Sequence, residues 1–261
     1  MQKKIVLIVI FLVAFSLLTY FFKSSVSRNV TRDTSMPIPV VPVSNLKNTT
    51  DLPGGGQNYR ISWFKVDDIG LLNLIPNFKE KKEFNEIAVA ENCKAASNGG
   101  FYTKEDSPTG LFITGGKVMK KWEKTDFLNG VFVVDNNNKA FIGDKGPGGE
   151  VKIALETGPI IKRNSQLKVL SVANDKRARR VLVGITKAEE VYFFVIYDST
   201  SYYLGPYLVE TGKMVQMIEN SLKISLRDVL NLDGGSASAF LNDGILLTEA
   251  TPVGSIFCLK R

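Results

Sequence analysis

Short apolar runs separated by Gly, Asn and Pro dominate the chain beyond residue 58. Runs of β-branched and aromatic residues bounded by such turn residues are typical of β-strands. Tyr59 to Val66 alternates well enough for one strand. Two hairpins are also predicted, Val131 to Val134 with Ala140 to Ile142, and Arg180 to Thr186 with Val191 to Tyr197.

Helical periodicity is clearest where Val215, Ile218 and Leu222 recur on one face that Met214 and Met217 widen. Methionines at this spacing usually pack into a core. A shorter helix is predicted for residues 83 to 92. The pattern therefore predicts an α+β fold, a strand-rich mixed sheet with a few helices packed on it.

The N-terminus carries a separate apolar segment. Lys3 and Lys4 precede a nearly unbroken apolar run from Ile5 to Phe22, which as a helix would span about 27 Å. We interpret residues 1–22 as an uncleaved signal anchor that attaches the chain to a membrane, with the domain on the extracytoplasmic side. The alternative is a signal peptide cleaved near Ser25-Val26-Ser27, which would leave a secreted protein.

Residues 23–57 contain several prolines, a run of Ser, Thr and Asn, and the triplet Gly54-Gly55-Gly56. Such a composition is typical of an extended linker. The folded domain is accordingly predicted to span residues 58–261.

The net charge of +7 and the pI near 9.2 suit an anionic partner. Lysines and arginines are spread along the chain, however, without zinc-finger spacing or a long basic tract, so a nucleic-acid partner is not predicted. The expected partners are a sugar phosphodiester or an envelope glycan. The sequence does not indicate an oligomeric state.

The chain contains no histidine and only two cysteines, Cys93 and Cys258. Ser-His-Asp and Cys-His catalysis and imidazole metal sites are therefore excluded. The two cysteines form either one disulfide or two buried free thiols, and sequence separation does not distinguish these. Any catalysis has to use carboxylates, hydroxyls, Lys, Arg or Tyr.

Three polar segments follow or precede apolar runs. Asn98 and Asp233 each end such a run and each is followed by two glycines, while Arg177 to Arg180 lies at the entrance of a predicted strand. An Asn or Asp followed by Gly-Gly allows a tight turn with exposed N–H groups. A single segment of this kind is usually a plain strand-ending turn. Arg177 and Arg179 are interpreted as solvated charges.

Four segments together resemble the phosphodiester glycosidase family in order and spacing. They are Asn98-Gly99-Gly100-Phe101-Tyr102, Glu156-Thr157-Gly158-Pro159, Arg180-Val181-Leu182-Val183-Gly184 and Asn231-Leu232-Asp233-Gly234-Gly235. The resemblance extends over nearly all of the predicted domain and ends with Thr251-Pro252-Val253-Gly254. That family includes the enzyme that uncovers mannose 6-phosphate by removing N-acetylglucosamine, so the resemblance implies an extracytoplasmic glycosidase acting on a sugar 1-phosphodiester.

Cleavage at the anomeric carbon passes through an oxocarbenium-like state, which a carboxylate stabilises or attacks. Asp233 is the candidate for this role. Glu156 is the candidate second carboxylate, acting as base on water or as acid on the leaving oxygen.

The departing phosphate needs anion stabilisation more than it needs a general acid. Arg180 is predicted to supply a bidentate guanidinium. Further donors are expected from the N–H groups of four glycines, Gly99, Gly100, Gly234 and Gly235. Asn98 is suited to sugar hydroxyls.

Three alternatives stay open. Where the family reads Asp-Gly-Gly-Gly-Ser and Arg-Thr, this chain has Ser236 and Ala237, and Val181, which favours a non-catalytic module that binds an envelope polysaccharide. The anchor and linker also suit a structural or assembly protein of the envelope. The third alternative is a metal-assisted phosphodiesterase that uses Ca²⁺ or Mg²⁺, but the sequence has no dense cluster of acidic residues to bind such an ion. No cofactor is therefore predicted, and a structural Ca²⁺ stays open as an alternative.

Overall fold

The computed structural model describes residues 46–54, 57–123, 125 and 127–261. The predicted signal anchor and most of the predicted linker lie outside these residues. Within them, no helix has the length and apolar character needed to cross a membrane.

Strands make up most of the described residues, which contain seventeen of them and two α-helices. The strands are β1 (Thr49–Gly54), β2 (Gln57–Val66), β3 (Leu72–Pro76), β4 (Cys93–Asn98), β5 (Phe112–Thr114), β6 (Lys117–Lys120), β7 (Gly130–Asp135), β8 (Ala140–Gly143), β9 (Val151–Thr157), β10 (Ile160–Arg163), β11 (Gln166–Leu167), β12 (Arg180–Thr186), β13 (Val191–Asp198), β14 (Leu226–Asn231), β15 (Phe240–Leu241), β16 (Leu246–Leu247) and β17 (Ser255–Lys260). The helices are α1 (Phe84–Ala90) and α2 (Thr211–Leu222), with three short 3-10 helices at Ile69–Leu71, Leu208–Glu210 and Gly235–Ala237.

The strands form three sheets. The first has seven strands in the order β1-β2-β13-β12-β14-β10-β11, the second five in the order β16-β15-β4-β17-β3, and the third five in the order β6-β5-β9-β7-β8. Every pairing within the described residues is antiparallel. The strand-rich α+β prediction is confirmed, but the prediction of one mixed sheet was wrong, because the strands divide among three sheets and pair only antiparallel. Consecutive strands such as β7 and β8 are antiparallel because a short turn joins them.

The folded unit begins earlier than predicted. Thr49–Gly54 forms β1, which pairs with β2 from Thr49 opposite Ser62 to Gly54 opposite Gln57. Strand β1 therefore lies within the segment 23–57 that the sequence predicts as linker. Proline and glycine suggested a linker there, but both residues are tolerated in a strand at the edge of a sheet, where β1 lies.

One apolar core joins the three sheets. Its aromatic members include Phe64 and Phe193 from the first sheet, Phe257 from the second and Phe132 from the third. On its outer face the first sheet is covered by α2, through Met214, Val215 and Ile218. The methionine face of α2 thus packs into a core, as its periodicity predicted.

Both predicted hairpins are present, and local chemistry explains their turns. In the β7–β8 turn, Asp135 Oδ1 accepts hydrogen bonds from the N–H groups of Asn137 and Lys139, both at 2.8 Å. Asn138 has φ +61°, and Glu189 in the β12–β13 turn has φ +63°. Asn tolerates this left-handed conformation better than most residues.

Cys93 and Cys258 form a disulfide, with a Cα–Cα distance of 5.4 Å. It connects β4 to β17 in the second sheet, where the two strands are neighbours. Of the two states that the sequence left open, the disulfide is the one present. The bond joins the strand that ends at Asn98 to the strand that begins at Ser255.

Candidate active site

The site forms where β14 and β4 end side by side. The Leu232 N–H donates to Val181 O at 2.8 Å, which keeps the chain beside β12 after β14 ends. The next N–H, of Asp233, donates to Gly99 O at 3.1 Å. The structure thus brings together the two Gly-Gly segments, which are distant in sequence.

Asn98 binds the two segments to each other. Its side chain is 1% exposed, and its Nδ2 donates to Asp233 O at 2.8 Å and to Gly99 O at 3.0 Å. Its Oδ1 accepts from Ala239 N at 3.0 Å. Both amide hydrogens are therefore engaged with the backbone, and the predicted contact of Asn98 with sugar hydroxyls stays a prediction.

Asp233 is a partly exposed residue at this junction. Oδ1 accepts from the Gly234 N–H at 2.8 Å, and no other described residue donates to the carboxylate. Burial raises the pKa of Asp233 to about 7, against the lowering effect of the Gly234 N–H. A carboxyl with this pKa exchanges protons near neutral pH, which is the property of a catalytic acid or base.

Tyr102 lies beside Asp233. Burial and then the charge of Asp233 raise the pKa of the Tyr102 phenol. Its hydroxyl donates to Pro252 O at 2.7 Å, and its ring packs so closely on Gly254 that a Cβ there would lie 2.6 Å from a ring carbon. Sequence reasoning included Tyr102 in a motif but gave it no role.

Three of the four glycine N–H groups predicted to bind an anion already have acceptors within the protein. The N–H of Gly99 donates to Ser255 O, that of Gly234 to Asp233 Oδ1, and that of Gly235 to Arg179 O. Only the N–H of Gly100 has no acceptor among the described residues. Of these four glycines, only Gly100 therefore has an N–H group available to donate to an anion.

Arg180 lies next to the Asp233 turn, with Cδ 3.9 Å from the position a Cβ would take at Gly234. Its Nε donates to Pro206 O at 3.0 Å, and its Nη2 pairs with Asp175 Oδ1 at 3.1 Å. Burial lowers its pKa, but the group stays a cation at neutral pH. Of its three guanidinium nitrogens, only Nη1 has no acceptor among the described residues. Bidentate binding of phosphate by Nη1 and Nη2 would therefore require the contact between Nη2 and Asp175 to break.

Glu156 is 2% exposed and lies on the face of β9 that is covered by residues 110 to 123. Its Oε2 accepts from Leu111 N at 2.7 Å and from Glu123 N at 3.4 Å, while its Oε1 is buried without a hydrogen-bond partner. Burial raises its pKa. A Cβ at Gly110 would lie 2.7 Å from the carboxyl carbon, so glycine is required there.

Sequence reasoning misjudged Arg179, which is 0% exposed rather than solvated. Its guanidinium donates to Ser238 Oγ at 2.7 Å, to Ser238 O, to Thr248 O at 2.8 Å and to Tyr202 O at 3.1 Å. A run of four residues with three arginines does not reveal which side chain turns inward. The signal that could have helped is strand alternation, because Arg179 and Val181 lie on the same face.

Two more buried polar atoms around the junction have no hydrogen-bond partner, Asn231 Oδ1 and Ser255 Oγ. Asn231 ends β14, and its Nδ2 donates to Gly158 O at 2.8 Å. Ser255 Oγ lies against Gly99, where a Cβ would be only 2.2 Å from it. Unsatisfied buried polar atoms are rare in folded proteins, and each calls for an explanation such as backbone strain, a bound water or ion, or a catalytic role.

No group of three carboxylate or cysteine side chains that could hold a metal ion exists among the described residues. The prediction that no cofactor is needed stays a prediction.

Two cavities lie outside the Asp233 junction. A cleft of about 510 Å³ is lined by Lys65, Asp67, Phe141, Glu190 and Arg227, at the opposite end of the seven-stranded sheet. A small pocket of about 90 Å³ adjoins Tyr102 and is lined also by Lys81 and Pro252. None of the predicted site residues lines either cavity.

Comparison with known proteins agrees with the resemblance seen in the sequence. The family model described as phosphodiester glycosidase matches residues 91–259. The fold is similar to the catalytic domain of zebrafish N-acetylglucosamine-1-phosphodiester alpha-N-acetylglucosaminidase, auto-inhibited by its pro-peptide, with a TM-score of 0.63, 14% identity and 86% of each chain covered. It is also similar to a hypothetical protein from Synechocystis, with a TM-score of 0.61, 11% identity, and 80% of this chain and 61% of that chain covered. No curated protein sequence matches the chain.

Proposed function

Because the chain belongs to the phosphodiester glycosidase family, we propose that it hydrolyses a sugar 1-phosphodiester with Asp233 as the central carboxylate. The observation that carries this proposal is the state of Asp233. It is the carboxyl of a partly exposed residue, with a pKa of about 7, one oxygen fixed by Gly234 and the other without a protein donor among the described residues.

In the proposed reaction the bond between the anomeric carbon and the phosphate oxygen breaks, and water supplies the new hydroxyl. Positive charge develops on the sugar ring in the transition state. Ionised Asp233 stabilises that charge or attacks the anomeric carbon. Attraction to the cationic ring favours the ionised form further, so a pKa near 7 in the free protein suffices for reaction at neutral pH.

The leaving phosphate requires positive groups more than it requires a proton. The Gly100 N–H and the Nη1 of Arg180 are two predicted donors near the junction that have no acceptor among the described residues. Arg180 is also partly buried, and a charge in a poorly solvated site acts more strongly on an anion than one in water. We assign the phosphate to these two groups.

Glu156 is proposed as the second carboxylate, the group that carries the proton to or from water. Its raised pKa suits this role. Its burial and its bonds to Leu111 and Glu123 equally suit a residue that holds the covering segment in place. Glu156→Gln separates the two, because glutamine keeps an acceptor for both N–H groups but cannot exchange a proton.

We propose an extracytoplasmic location for the domain. The disulfide supports it, because such bonds persist in oxidising compartments and are rare in the cytosol. The apolar segment at Ile5 to Phe22 would then direct export and attach the chain to the membrane. Labelling of the two cysteines in intact cells, with and without reductant, tests whether they are oxidised in place.

The decisive experiment measures turnover of a panel of sugar 1-phosphodiesters with a chromogenic aglycone. We expect Asp233→Asn to lower kcat by about 10²- to 10⁴-fold, the range for loss of a catalytic proton-transfer or charge-stabilising group. Asp243→Asn is the matched control, because Asp243 is an exposed turn residue. Equal activity of the Asp233→Asn protein and the wild type would refute the assignment.

The pH dependence follows from the same carboxyl. The ionised form of Asp233 is the active one, so kcat/KM should fall as the pH drops through about 7. An activity that instead rises below this pH would assign Asp233 the role of a general acid.

One observation favours the alternative of a non-catalytic polysaccharide-binding module. Most of the donors predicted to bind phosphate are already bonded within the protein, which leaves few for an anion. A module of this kind would bind envelope glycans by calorimetry, release no product, and keep its affinity in the Asp233→Asn protein.

A further inference from the structure

Arg179 is buried against the Asp233-Gly234-Gly235 turn, and its carbonyl oxygen lies close to both glycines. Its own carbonyl accepts from the Gly235 N–H at 2.9 Å and would lie only 2.8 Å from a Cβ at Gly234. Its side chain then extends past the 3-10 helix Gly235–Ala237 to reach Ser238. One residue therefore holds both ends of the segment that follows Asp233.

The same guanidinium reaches a third segment. Its Nη2 donates to Thr248 O at 2.8 Å, and the chain beyond Thr248 bonds back to the turn, because Ala250 N and Thr251 N both donate to Ser236 O at 2.8 and 3.0 Å. Residues 234–238 and 248–251 thus form one hydrogen-bonded unit around the Arg179 side chain. Gly235 is the one residue of this turn with positive φ, at +66°, so Ser236 and Ala237 fit without backbone strain.

Arg179 is a cation with no carboxylate within ion-pair distance among the described residues. Carbonyl and hydroxyl oxygens, and the Tyr203 ring 5.6 Å from its Cζ, surround it instead. Burial lowers its pKa to about 10, so it stays charged at neutral pH. The charge of Glu249 acts on it from beyond ion-pair distance. Burying a cation without a directly paired carboxylate costs free energy. Its five N–H donors lie in one plane, however, so a single guanidinium can bind several carbonyl groups at the same time.

We propose that Arg179 is a positioning residue, which fixes the Asp233-Gly234-Gly235 turn so that the Gly234 N–H stays on Asp233 Oδ1 and the other carboxylate oxygen faces the substrate. The inference rests on the proposed role of Asp233. It assigns Arg179 no contact with substrate. A displacement of the turn by a fraction of an ångström would misdirect the carboxylate without removing it.

The test compares three variants of the full-length chain. Arg179→Lys keeps the charge but loses the planar fork. Ser238→Ala removes the hydroxyl that bridges Arg179 Nε and Gly235 O, with only a small change in volume. Arg177→Lys is the matched control, because Arg177 pairs with Asp198 at 2.6 Å and has no bond to the turn.

Two measurements follow, steady-state kinetics and the titration midpoint of Asp233 by ¹³C NMR of its carboxyl carbon. We expect Arg179→Lys to lower kcat by about tenfold to a hundredfold with KM nearly unchanged. Its Asp233 midpoint should move by more than about half a pH unit, because the Gly234 N–H and the solvation of the carboxyl both change. Ser238→Ala should show smaller changes of the same kind, and Arg177→Lys none.

Wild-type kcat and midpoint in folded Arg179→Lys and Ser238→Ala proteins would overturn the proposal. If Arg179→Lys does not fold, the Ser238→Ala protein decides on the same criteria. If the wild type hydrolyses no sugar phosphodiester, the proposed function fails, and the shift of the Asp233 midpoint alone confirms or overturns the positioning role.

Discussion

The two ends of the seven-stranded sheet use polar residues in opposite ways. At the end where β14 stops, Asn98, Arg179 and Asn231 are buried and bond to backbone groups of neighbouring loops. At the other end, about 20 Å away along β14, Lys65 pairs with Glu190 and Lys94 with Asp67, on the surface.

The larger cavity lies at the second end, yet the features of a catalytic site lie at the first. A carboxyl with a strongly raised pKa and several unsatisfied buried polar atoms occur around Asp233. The cleft at the other end is lined by charged side chains of both signs, among them the pair of Lys65 with Glu190. The site proposed at Asp233 thus rests on the chemical state of its side chains and not on the volume of a cavity.

The largest expected effect on stability comes from Asn98→Ala. The substitution leaves the Asp233 carbonyl and the Ala239 N–H without partners in a buried place and removes one of the two donors to Gly99 O, so the free energy of unfolding should fall by about 3–5 kcal/mol. Urea unfolding measures it. The control is Asn73→Ala, which removes one exposed hydrogen bond to Leu71 O. Equal losses in the two variants would mean that the Asn98 bonds do not hold the junction.

Removal of the disulfide should cause the next largest loss in the free energy of unfolding. Cys93→Ala together with Cys258→Ala removes a cross-link over 165 residues of sequence, and we expect a loss of about 2–4 kcal/mol. Because β4 carries Asn98 and β17 begins beside Gly99, activity should fall before the protein unfolds. Thermal unfolding monitored together with turnover checks this order. If activity and folded structure are lost at the same temperature, the cross-link stabilises the Asp233 junction no more than it stabilises the rest of the fold.

Much of the fold could be predicted from periodicity, and the two hairpins and both helices are where alternation and helical spacing put them. Strand β1 could not, because Pro53 and Gly54 mask its pattern. The meeting of Asn98 with Asp233 followed from the family resemblance alone. What each polar side chain does at the site could not be predicted, since Arg179 and Arg180 differ in burial and partners but not in type.

Asp233 should make the protein less stable where it is ionised. Its pKa is about 7 in the folded protein and about 4 when unfolded, so the folded state holds more protons between these values and stability falls as the pH rises through that window. Asp233→Asn should therefore raise the free energy of unfolding by about 2 kcal/mol at pH 8 and by little near pH 4. Unfolding curves at both pH values measure the difference. A gain of the same size at both would show that the charge is not the cause.

The smallest effect is expected at the other end of the sheet. Glu190→Gln breaks the ion pair between Lys65 Nζ and Glu190 Oε1, which lie 2.5 Å apart in side chains that are 43% and 35% exposed. Water and salt screen such a pair, so Tm should change by less than about 2 °C, and the remaining difference should vanish in high salt. Differential scanning calorimetry at low and high salt measures both. A Tm loss as large as that of Asn98→Ala would contradict the contrast between the two ends, because surface pairing would then stabilise the sheet as much as the buried bonds around Asp233 do.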